Sequence, residues 1–598
     1  MRWLVRDRFI PLAQRMIMIN NITVTRNDDY VMGACRVDKG FAFAYASKNP
    51  TLRLLLFSKD SKAPEYTIEL DASHKVGNVF SVVVKGLDPE INLYLYEDAG
   101  FIVADPYATC LKPSSFVERK DSPYAVLSKS RFNWKNDVSP SYKRNELILY
   151  KIHPKGWTAH ESSKVKNKGT FKGITEKLPY LLNLGVNAVE IMPVYEFVNK
   201  DTRNNYWGYE EGFYFAPKRD YCACKDDRED YTVEFKELVR KFHEKGIEVI
   251  LEMFFPNHVS PVLILDCIRF WKKEYHIDGV HLLCDERARL MLAGDEYIRD
   301  VKLFTTNWYE DTPQDNLYEY NEGFLDVSRR LLKGDEGQLM SFLNAQKKSP
   351  EYAGTVNFVA YNNGFTLADL VSYDHKHNEA NNEGNRDGVD YNLSWNCGAE
   401  GPTTNKRIKD LRFKLMKNAM AMVMLAQGVP LIYGGDEFAN SQSGNNNAYC
   451  QDNEIGWTDW SFFKRNRKLH DFTKELIKFR KEHGAISFEK QPLLMDYKYY
   501  GLPDMSYHGS RAWYPELEHF NRHVGVMLCG RYAREESNIY VGYNLHWESH
   551  ELALPTIPGR KWQIAIGTDI NENVEIVDEH YLKIAPRSII VLIDIKNG

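Results

Sequence analysis

An aromatic cluster and an amide-rich segment are two stretches of this sequence whose side chains could bind a ligand. Tyr206, Trp207 and Tyr209 stand close together, and the flat faces of such rings make apolar stacking contacts. Residues 377–388, HNEANNEGNRDG, carry many amides and carboxylates, which suit hydroxyl-rich ligands as hydrogen-bond partners. Each stretch also has a structural alternative: the rings could pack the mouth of a barrel, and the polar segment could form a capped turn.

The histidines and cysteines give a weaker chemical signal. His153 and His281 are lone histidines on predicted strands, where a satisfied structural role is more common than a catalytic one. Cys222 and Cys224 flank one alanine, which is a poor spacing for metal ligands, and no matching His or Cys pair stands nearby in the sequence. We therefore predict no metal site and no cofactor.

The composition excludes several classes of protein. The 598 residues include 77 Lys plus Arg and 82 Asp plus Glu, a net charge of −5, which argues against binding to nucleic acid or to a membrane surface. An aromatic share of 13% and a mean hydropathy of −0.48 fit a folded globular chain rather than a disordered one. No apolar stretch is long enough to span a membrane, and residues 1–20 lack a signal-peptide pattern. Nine scattered cysteines indicate a reducing compartment, so we expect a cytoplasmic location.

Two regions show the alternation of apolar and polar residues that is typical of antiparallel strands. In the first, over residues 1–112, short runs such as FAFAYAS (41–47) and INLYLYE (91–97) are separated by turn residues, which predicts a β-sandwich. The pattern returns over residues 485–598, with runs such as NIYVGYNLHW, and predicts a second sandwich. Residues 113–145 contain Pro, Ser and Lys and are predicted to be a linker.

Residues 146–484 alternate between apolar strands and helical patterns, which indicates a parallel sheet with crossover helices. Seven strands can be placed, and an eighth is expected between residues 308 and 355. No Gly-rich dinucleotide-binding turn interrupts the pattern, so a (β/α)8 TIM barrel is favoured over a doubly wound sheet. The predicted fold class is α/β: a (β/α)8 barrel flanked by an N-terminal and a C-terminal β-sandwich.

Several separated motifs carry a resemblance to a known family. They are KGTFKGITEKLPYLLNLGVNAVEIMPVYEF (168–197), NYWGYEEGFYFAPKRDY (205–221), SYDHKHNEANNEGNRDG (372–388) and GVPLIYGGDEF (428–438). Together they resemble the isoamylase and glycogen-debranching branch of glycoside hydrolase family 13, the α-amylase family. The opening sandwich, which ends in ADPYA (104–108), resembles a family 48 carbohydrate-binding module. The resemblance covers nearly the whole chain.

The resemblance implies a retaining α-glucan hydrolase, whose chemistry needs two carboxyl groups about 5–5.5 Å apart and a third carboxylate that holds the sugar. In this sequence the three family positions carry other residues. The nucleophile position is Leu283, the general-acid position is Thr306 and the third carboxylate position is Asn363. Leucine cannot attack an anomeric carbon, and threonine cannot donate a proton at neutral pH as a tuned carboxylic acid does. We therefore predict no catalytic residue at these positions.

Neighbouring family positions are altered as well. His281 stands where the family has arginine, Asn362 where it has histidine, and Glu252 where it has aspartate. A loop that carries part of the substrate site in active relatives is missing after the third predicted strand. The alternative is a relocated set of catalytic carboxylates. Its candidates are Asp285, Glu310 and Asp311.

These observations predict an isoamylase-like protein of glucan metabolism that is a noncatalytic pseudoenzyme. The predicted ligand is an α-glucan such as glycogen, starch or a maltooligosaccharide, bound weakly through Tyr206, Trp207 and Tyr209. A catalytically active isoamylase homologue is the predicted protein partner. Two alternatives stay open: an active α-1,6-glucan debranching hydrolase with relocated catalytic groups, and a purely structural interaction protein.

Overall fold

A computed structural model describes most of the chain. The described residues are 17–19, 22–59, 61–113, 122–127, 132–197, 205–224, 230–309, 314–569 and 574–597. They divide into two compact units. The first takes in the described residues up to 133 together with those of 195–198 and 211–233, and the second takes in those of 134–194, 199–210 and 234–598. No helix in the described ranges is both long and apolar enough to cross a membrane.

The first unit is a β-sandwich of two antiparallel sheets, as the alternating pattern predicts. In one sheet the strands lie in the order Ile17–Ile19, Ile22–Arg26, Val79–Lys85, Gly40–Ala46 and Gly33–Val37, with Lys75–Val76 paired to the third. In the other sheet the order is Leu111–Lys112, Tyr124–Val126, Ile91–Asp98, Leu52–Ser58 and Tyr66–Leu70, with Phe101–Val103 paired to the third. A hairpin of Tyr195–Phe197 and Gly212–Pro217 also belongs to this unit. Its core includes Phe43, Leu54, Val82 and Tyr94.

The second unit contains a closed barrel of eight parallel strands. They are β1 (Leu149–Ile152), β2 (Ala188–Ile191), β3 (Glu248–Phe254), β4 (Gly279–Leu283), β5 (Lys302–Thr305), β6 (Leu317–Tyr320), β7 (Gly354–Asn357) and β8 (Val429–Tyr433). Neighbours in the sequence pair with each other, and β8 pairs with β1, which closes the sheet. The predicted (β/α)8 barrel is confirmed.

The strand that the sequence pattern leaves unplaced is β6. It lies between residues 308 and 355, where the remaining strand is expected. It reads LYEY and follows the polar residues Gln314, Asp315 and Asn316. It is as short as β1, β2, β5 and β7, but polar residues stand directly before it and Asn321 and Glu322 directly after it, so no longer apolar run marks it in the sequence. Its place in the barrel comes from parallel pairing with β5 and β7.

Most of the helices connect the barrel strands. The helices of the described chain are Gly156–Ala159, Phe171–Glu176, Leu178–Leu184, Val233–His243, Pro261–Tyr275, Glu286–Ala293, Glu322–Lys333, Leu339–Gln346, Leu367–Leu370, Lys406–Met424, Ser461–Arg465 and Arg467–Glu482. The helical pattern of residues 174–185 falls on two helices, Phe171–Glu176 and Leu178–Leu184, which meet at Lys177. Pro179 is the second residue of the second helix, and because proline lacks an N–H group it suits the first turn of a helix.

The C-terminal β-domain lies in the same compact unit as the barrel. Its larger antiparallel sheet has the order Met505–His508, His523–Leu528, Ile539–Asn544, Ser588–Lys596 and Arg560–Gly567, and its smaller sheet has the order His550–Ala553, Tyr581–Ile584 and Glu575–Val577. Side chains of both sheets form one core, which includes Tyr540, Leu552, Leu582 and Ile590. This packing of two sheets is the predicted sandwich.

The described part of the predicted linker, 113–145, is built into the two units. Tyr124–Val126 is a strand of the first unit and pairs with Ile91–Asp98. Three residues are too few to show a period of two, so the sequence pattern does not reveal this strand. Further along, Tyr142 N–H donates to Glu248 of β3 at 2.6 Å, which fixes the segment before β1 to the barrel.

A buried ionic cluster also holds this segment to the barrel. His243 Nδ1 lies 3.1 Å from Asp137 Oδ1, and His243 Nε2 lies 2.9 Å from Asp278 Oδ2. Burial alone would lower the pKa of His243, but its hydrogen bonds and charge interactions with Asp278 and Asp137 raise it above the ordinary value. The protonated imidazole therefore bridges two buried carboxylates.

We expect His243→Ala to destabilise the protein most at mildly acidic pH. Because the folded-state pKa is raised, the stabilisation by His243 is fully present below its unfolded pKa of about 6.5 and is lost as pH rises through the folded value. Leaving buried carboxylates without their partner costs about 3–5 kcal/mol. Thermal unfolding at pH 6 and pH 9 checks this. His519→Ala is the control, since that side chain is 75% exposed. An equal loss of stability at both pH values would contradict a protonated His243 that bridges the two carboxylates.

Candidate functional site

The three positions that the family resemblance marks as catalytic lie at the carboxyl ends of barrel strands. Leu283 is the last residue of β4, Thr306 follows β5 directly, and Asn363 lies in the loop after β7. Leu283 is half-buried, whereas Thr306 and Asn363 are exposed. Active sites of such barrels form at this end. In this chain the three positions bring together an alkyl group, a hydroxyl and an amide, and no carboxylate.

A buried ion pair network fills the interior of the barrel beside these positions. Lys151 Nζ of β1 donates to Glu190 Oε1 of β2 at 2.9 Å and to Glu252 Oε1 of β3 at 2.7 Å. His281 Nδ1 of β4 lies 2.9 Å from Glu190 Oε1 and 3.4 Å from Glu252 Oε1. All four side chains are buried. One ammonium group therefore joins two carboxylates across three neighbouring strands.

Hydroxyl and amide groups satisfy the remaining oxygens of the two carboxylates. The Tyr320 hydroxyl donates to Glu190, and its ring stacks on His281 at 4.2 Å. The Tyr209 hydroxyl donates to Glu252 Oε2 at 2.9 Å, and Asn362 Nδ2 donates to that hydroxyl at 2.9 Å. Three altered family positions, Glu252, His281 and Asn362, thus belong to one network.

Glu190 and Lys151 stabilise each other in their ionised forms. Burial alone would raise the pKa of Glu190, but Lys151 and His281 hold it well below its usual range. Burial alone would lower the pKa of Lys151, but Glu190 and Glu252 raise it. Glu190 is therefore an anion with no proton to donate, and Lys151 is a cation with no free electron pair. Glu190 in this form cannot act as the general acid of a glycosidase, which must donate a proton.

The same network contains the donor set of a metal site, which sequence analysis did not predict. One ligand atom each from Glu190, Glu252 and His281 lies within 4.8 Å of the others, and all three residues are buried. Lys151 Nζ hydrogen-bonds both carboxylates, so an ammonium group already supplies the cation there. The sequence does hold a signal: Lys151 and Glu190 are charged residues inside otherwise apolar strands.

The relocated-carboxylate alternative gains no support from the described residues. Asp285 caps the helix Glu286–Ala293, since its Oδ1 accepts from Ala288 N–H at 2.9 Å. That backbone hydrogen bond, with further help from Arg287, lowers the pKa of Asp285, which opposes a general-acid role. The other two candidates, Glu310 and Asp311, lie outside the described residues.

The structure corrects the expectation that Tyr206 and Trp207 offer ring faces to a sugar. Their exposed fractions are 4% and 5%. Tyr206 stacks on His153 at 3.8 Å, and burial lowers the pKa of His153 to about 3, so that imidazole is neutral and structural. Trp207 packs in a cluster with Met192, Ala448 and Tyr209. The packing alternative describes these two rings, because residues distant in the sequence cover them.

Tyr209 is the predicted binding residue that keeps some access to solvent. It is half-buried, and its ring lies 6.1 Å from that of Phe254, the last residue of β3. Burial and the neighbouring Glu252 raise the pKa of Tyr209 well above the ordinary value. The hydroxyl therefore stays protonated and serves as a hydrogen-bond donor.

The amide-rich segment 377–388 is a structural network. Asn378 Nδ2 donates to Asn446 Oδ1 at 2.8 Å, and Asn446 N–H donates back to Asn378 Oδ1 at 3.0 Å. Asn381 Nδ2 donates to Asp387 Oδ2 at 2.7 Å. These bonds tie two loops together, so the turn alternative describes the segment better than sugar contact does.

A cavity of about 660 Å³ opens at the carboxyl ends of β3, β4 and β5. Its lining combines apolar and polar side chains. The residues are Phe254, Phe255, Pro256, Asn257, His258, Leu282, Leu283, Cys284, Arg289, Thr305 and Thr306. Its volume falls in the range of about 300–1,000 Å³ that is typical of small-molecule sites. Leu283 and Thr306 thus line a real cavity, which we call the mouth cavity.

Comparisons with known proteins agree with this geometry. The family described as Alpha amylase, catalytic domain, matches residues 151–282. Isoamylase 1, chloroplastic, of Oryza sativa subsp. japonica is 28% identical over 90% of this chain and 81% of that protein. The glycogen operon protein GlgX homolog of Haemophilus influenzae is 30% identical over 64% of this chain and 73% of that protein. The crystal structure of apo pullulanase from Paenibacillus barengoltzii has a TM-score of 0.75 at 18% identity and covers 96% of this chain and 95% of that one.

The closed parallel barrel, with a β-sandwich before it and another after it in the sequence, defines an α-amylase-type barrel protein. The relatives narrow this class. The chain belongs to glycoside hydrolase family 13, the α-amylase family, in its isoamylase and glycogen-debranching branch.

Proposed function

We propose that the protein is a noncatalytic member of the debranching branch that binds α-glucan. The observation that carries this proposal is the chemistry at the carboxyl ends of β4, β5 and β7, where Leu283, Thr306 and Asn363 replace the family carboxylates. The carboxylate pair inside the barrel, Glu190 and Glu252, is buried and shares the ammonium group of Lys151, so it is not exposed to a substrate.

Glucan binding at the mouth cavity is supported by the family and by the cavity lining. Pullulanase from Paenibacillus barengoltzii has been crystallised with maltohexaose and α-cyclodextrin, and it shares the fold of this chain. In this chain Phe254 and Leu283 offer apolar surface, and Thr306 offers a hydroxyl. Sugars bind through such combinations of apolar contact and hydrogen bonds. Docking to a catalytically active isoamylase homologue and a cytoplasmic location stay predictions.

We expect weak retention of the protein in native gels that contain glycogen or maltoheptaose. Affinity in the micromolar to millimolar range corresponds to about −8 to −4 kcal/mol. Thr306→Leu, which removes the hydroxyl from the mouth cavity without adding an aromatic face, should reduce the part of the retention that the mouth supplies. Tyr391→Ala, at an exposed tyrosine outside the cavity lining, is the control. A wild-type protein with no retention would favour the purely structural alternative, and equal retention of Thr306→Leu would contradict a site at the mouth.

A further inference from the structure

An arginine lies in the mouth cavity, where the proposed function places a glucan. Arg289 belongs to the helix Glu286–Ala293, which begins shortly after β4 ends. Its half-buried side chain lines the cavity together with Leu283 and Thr306, two of the family's carboxylate positions. A cation at this place bears on the charge of the ligand that the cavity accepts.

Hydrogen bonds to the end of β5 hold the Arg289 guanidinium in place. Its Nη1 donates to Thr305 Oγ1 at 3.0 Å, to Asn307 Oδ1 at 3.0 Å and to Asn307 O at 3.1 Å. Its Nη2 has no hydrogen-bond partner among the described residues and, unlike Nε, is not one of their buried unpaired atoms. The guanidinium is thus fixed through one nitrogen, while another keeps contact with solvent. Because the group is already ordered, an acceptor that binds it loses little conformational entropy.

Arg289 has no carboxylate partner in the described part of the chain, since all three of its hydrogen bonds go to a threonine and an asparagine. The nearby acidic side chains have other partners. Asp285 Oδ2 lies 3.1 Å from Arg287 Nη2. Glu286 Oε1 accepts from the Tyr309 hydroxyl at 2.6 Å. Because arginine side chains stay charged in proteins, Arg289 is a cation without a counter-ion among the described residues.

The rest of the described lining adds no negative charge. Besides Arg289, its titratable residues are His258 and Cys284. Burial raises the pKa of Cys284 to about 12, with Arg289 acting against this shift and Asp285 adding to it, so the thiol is neutral at physiological pH. An imidazole is either neutral or cationic. The described lining is therefore positive, at the end of the barrel where active relatives carry their catalytic carboxylates.

This combination of charge and apolar surface suits an anionic sugar. The guanidinium fork matches the oxygens of a phosphate or a carboxylate, and a cleft lined by one sign of charge strengthens that attraction. Phe254 and Leu283 supply apolar surface, and the exposed Asn257 supplies an amide. A free inorganic anion would leave most of the 660 Å³ unfilled, and a neutral sugar would leave Arg289 without a counter-ion.

We propose that the mouth cavity selects α-glucans that carry an oxyanion, as a phosphate ester or a carboxylate, and that Arg289 binds this group. This inference rests on the proposed function and deepens it. Arg289 Nη2 would donate to the oxyanion, and apolar sugar faces would lie against Phe254 and Leu283. Catalytic carboxylates at this end of the barrel would repel such a ligand, so their replacement removes an obstacle to its binding.

Titration calorimetry of the full chain tests this with ligands of equal length. They are maltoheptaose, maltoheptaose phosphorylated at a 6-hydroxyl group, and maltoheptaonate, whose end unit carries a carboxylate. The wild type should bind at least one anionic ligand at least about tenfold more tightly than maltoheptaose, as expected for one hydrogen bond to a charged group. The tighter of the two identifies the oxyanion. Raising NaCl from about 50 mM to about 500 mM should reduce this preference through screening, a readout that needs no variant.

Two matched variants on one helix locate the group that reads the charge. Arg289→Gln removes the cation but leaves an amide that can donate towards Thr305 and Asn307, and it should bind all three ligands with similar affinity. Arg287→Gln is the control. That side chain is 80% exposed and lies outside the cavity lining, so the variant should keep the wild-type preference.

Several results would overturn the anionic site, and they differ from a failure of the proposed function. Equal wild-type affinity for the neutral and both anionic ligands would refute it, while glucan binding would stand. A preference for the anionic ligand that persists in Arg289→Gln would also refute it. Inorganic phosphate that binds as tightly as the phosphorylated glucan would make the cavity a simple anion site. A wild-type protein that binds none of the three sugars would refute both proposals.

Discussion

Replacing Lys151 with methionine should destabilise the barrel by about 3–5 kcal/mol at neutral pH, the cost of breaking a buried ion pair by removing one partner. The variant leaves Glu190 and Glu252 facing each other in the protein interior without their shared cation. Thermal or urea unfolding measures this loss of stability. The triple variant Lys151→Met, Glu190→Gln, Glu252→Gln should recover much of it, because no uncompensated charge then remains.

The pH dependence distinguishes this network from ordinary packing. In the wild type the pKa of Glu190 is lowered on folding, so its stabilisation is present above the unfolded value of about 4.3 and is lost as pH falls towards the folded value. In Lys151→Met the change of the carboxylate pKa on folding has the opposite sign, since buried carboxylates without a cation take up protons more readily. The stability difference between wild type and variant should therefore shrink as pH falls from 7 to 5. A difference that is independent of pH would refute the charged network.

Purified protein should leave the α-1,6 and α-1,4 bonds of amylopectin and glycogen intact. Removing catalytic groups that act as a unit costs several powers of ten in rate, and here Leu283, Thr306 and Asn363 stand at all three carboxylate positions. Glu190 and Glu252 do not replace them, because Glu190 holds no proton and both side chains are buried. We expect a rate at least several powers of ten below that of an active debranching enzyme.

The sequence predicts the barrel well because most of its strands are buried on both faces and appear as apolar runs between helical patterns. Strand β6 departs from this rule. Its glutamate, Glu319, is buried and accepts from Trp308 N–H at 2.6 Å, so a polar residue that looks exposed in the sequence is a structural acceptor in the fold.

The candidate site is only partly predictable from the sequence. The prediction that the three carboxylates are lost rests on the family motifs in the sequence alone. The burial of the Tyr206 and Trp207 rings cannot be predicted from these motifs, since it depends on His153 and on Ala448, far away in the chain. The network around Lys151 is equally hidden, because it forms only when β1, β2, β3 and β4 become neighbours in the closed barrel.

The most direct test of the noncatalytic assignment is the release of reducing ends from amylopectin and glycogen by pure protein, followed over several days. A catalytically active debranching enzyme serves as positive control, and Asp285→Asn serves as matched variant, since asparagine also caps helices well. We predict release no greater than in a protein-free blank for both the wild type and the variant. Turnover by the wild type that Asp285→Asn abolishes would show that the catalytic carboxylates have moved, and would contradict the account.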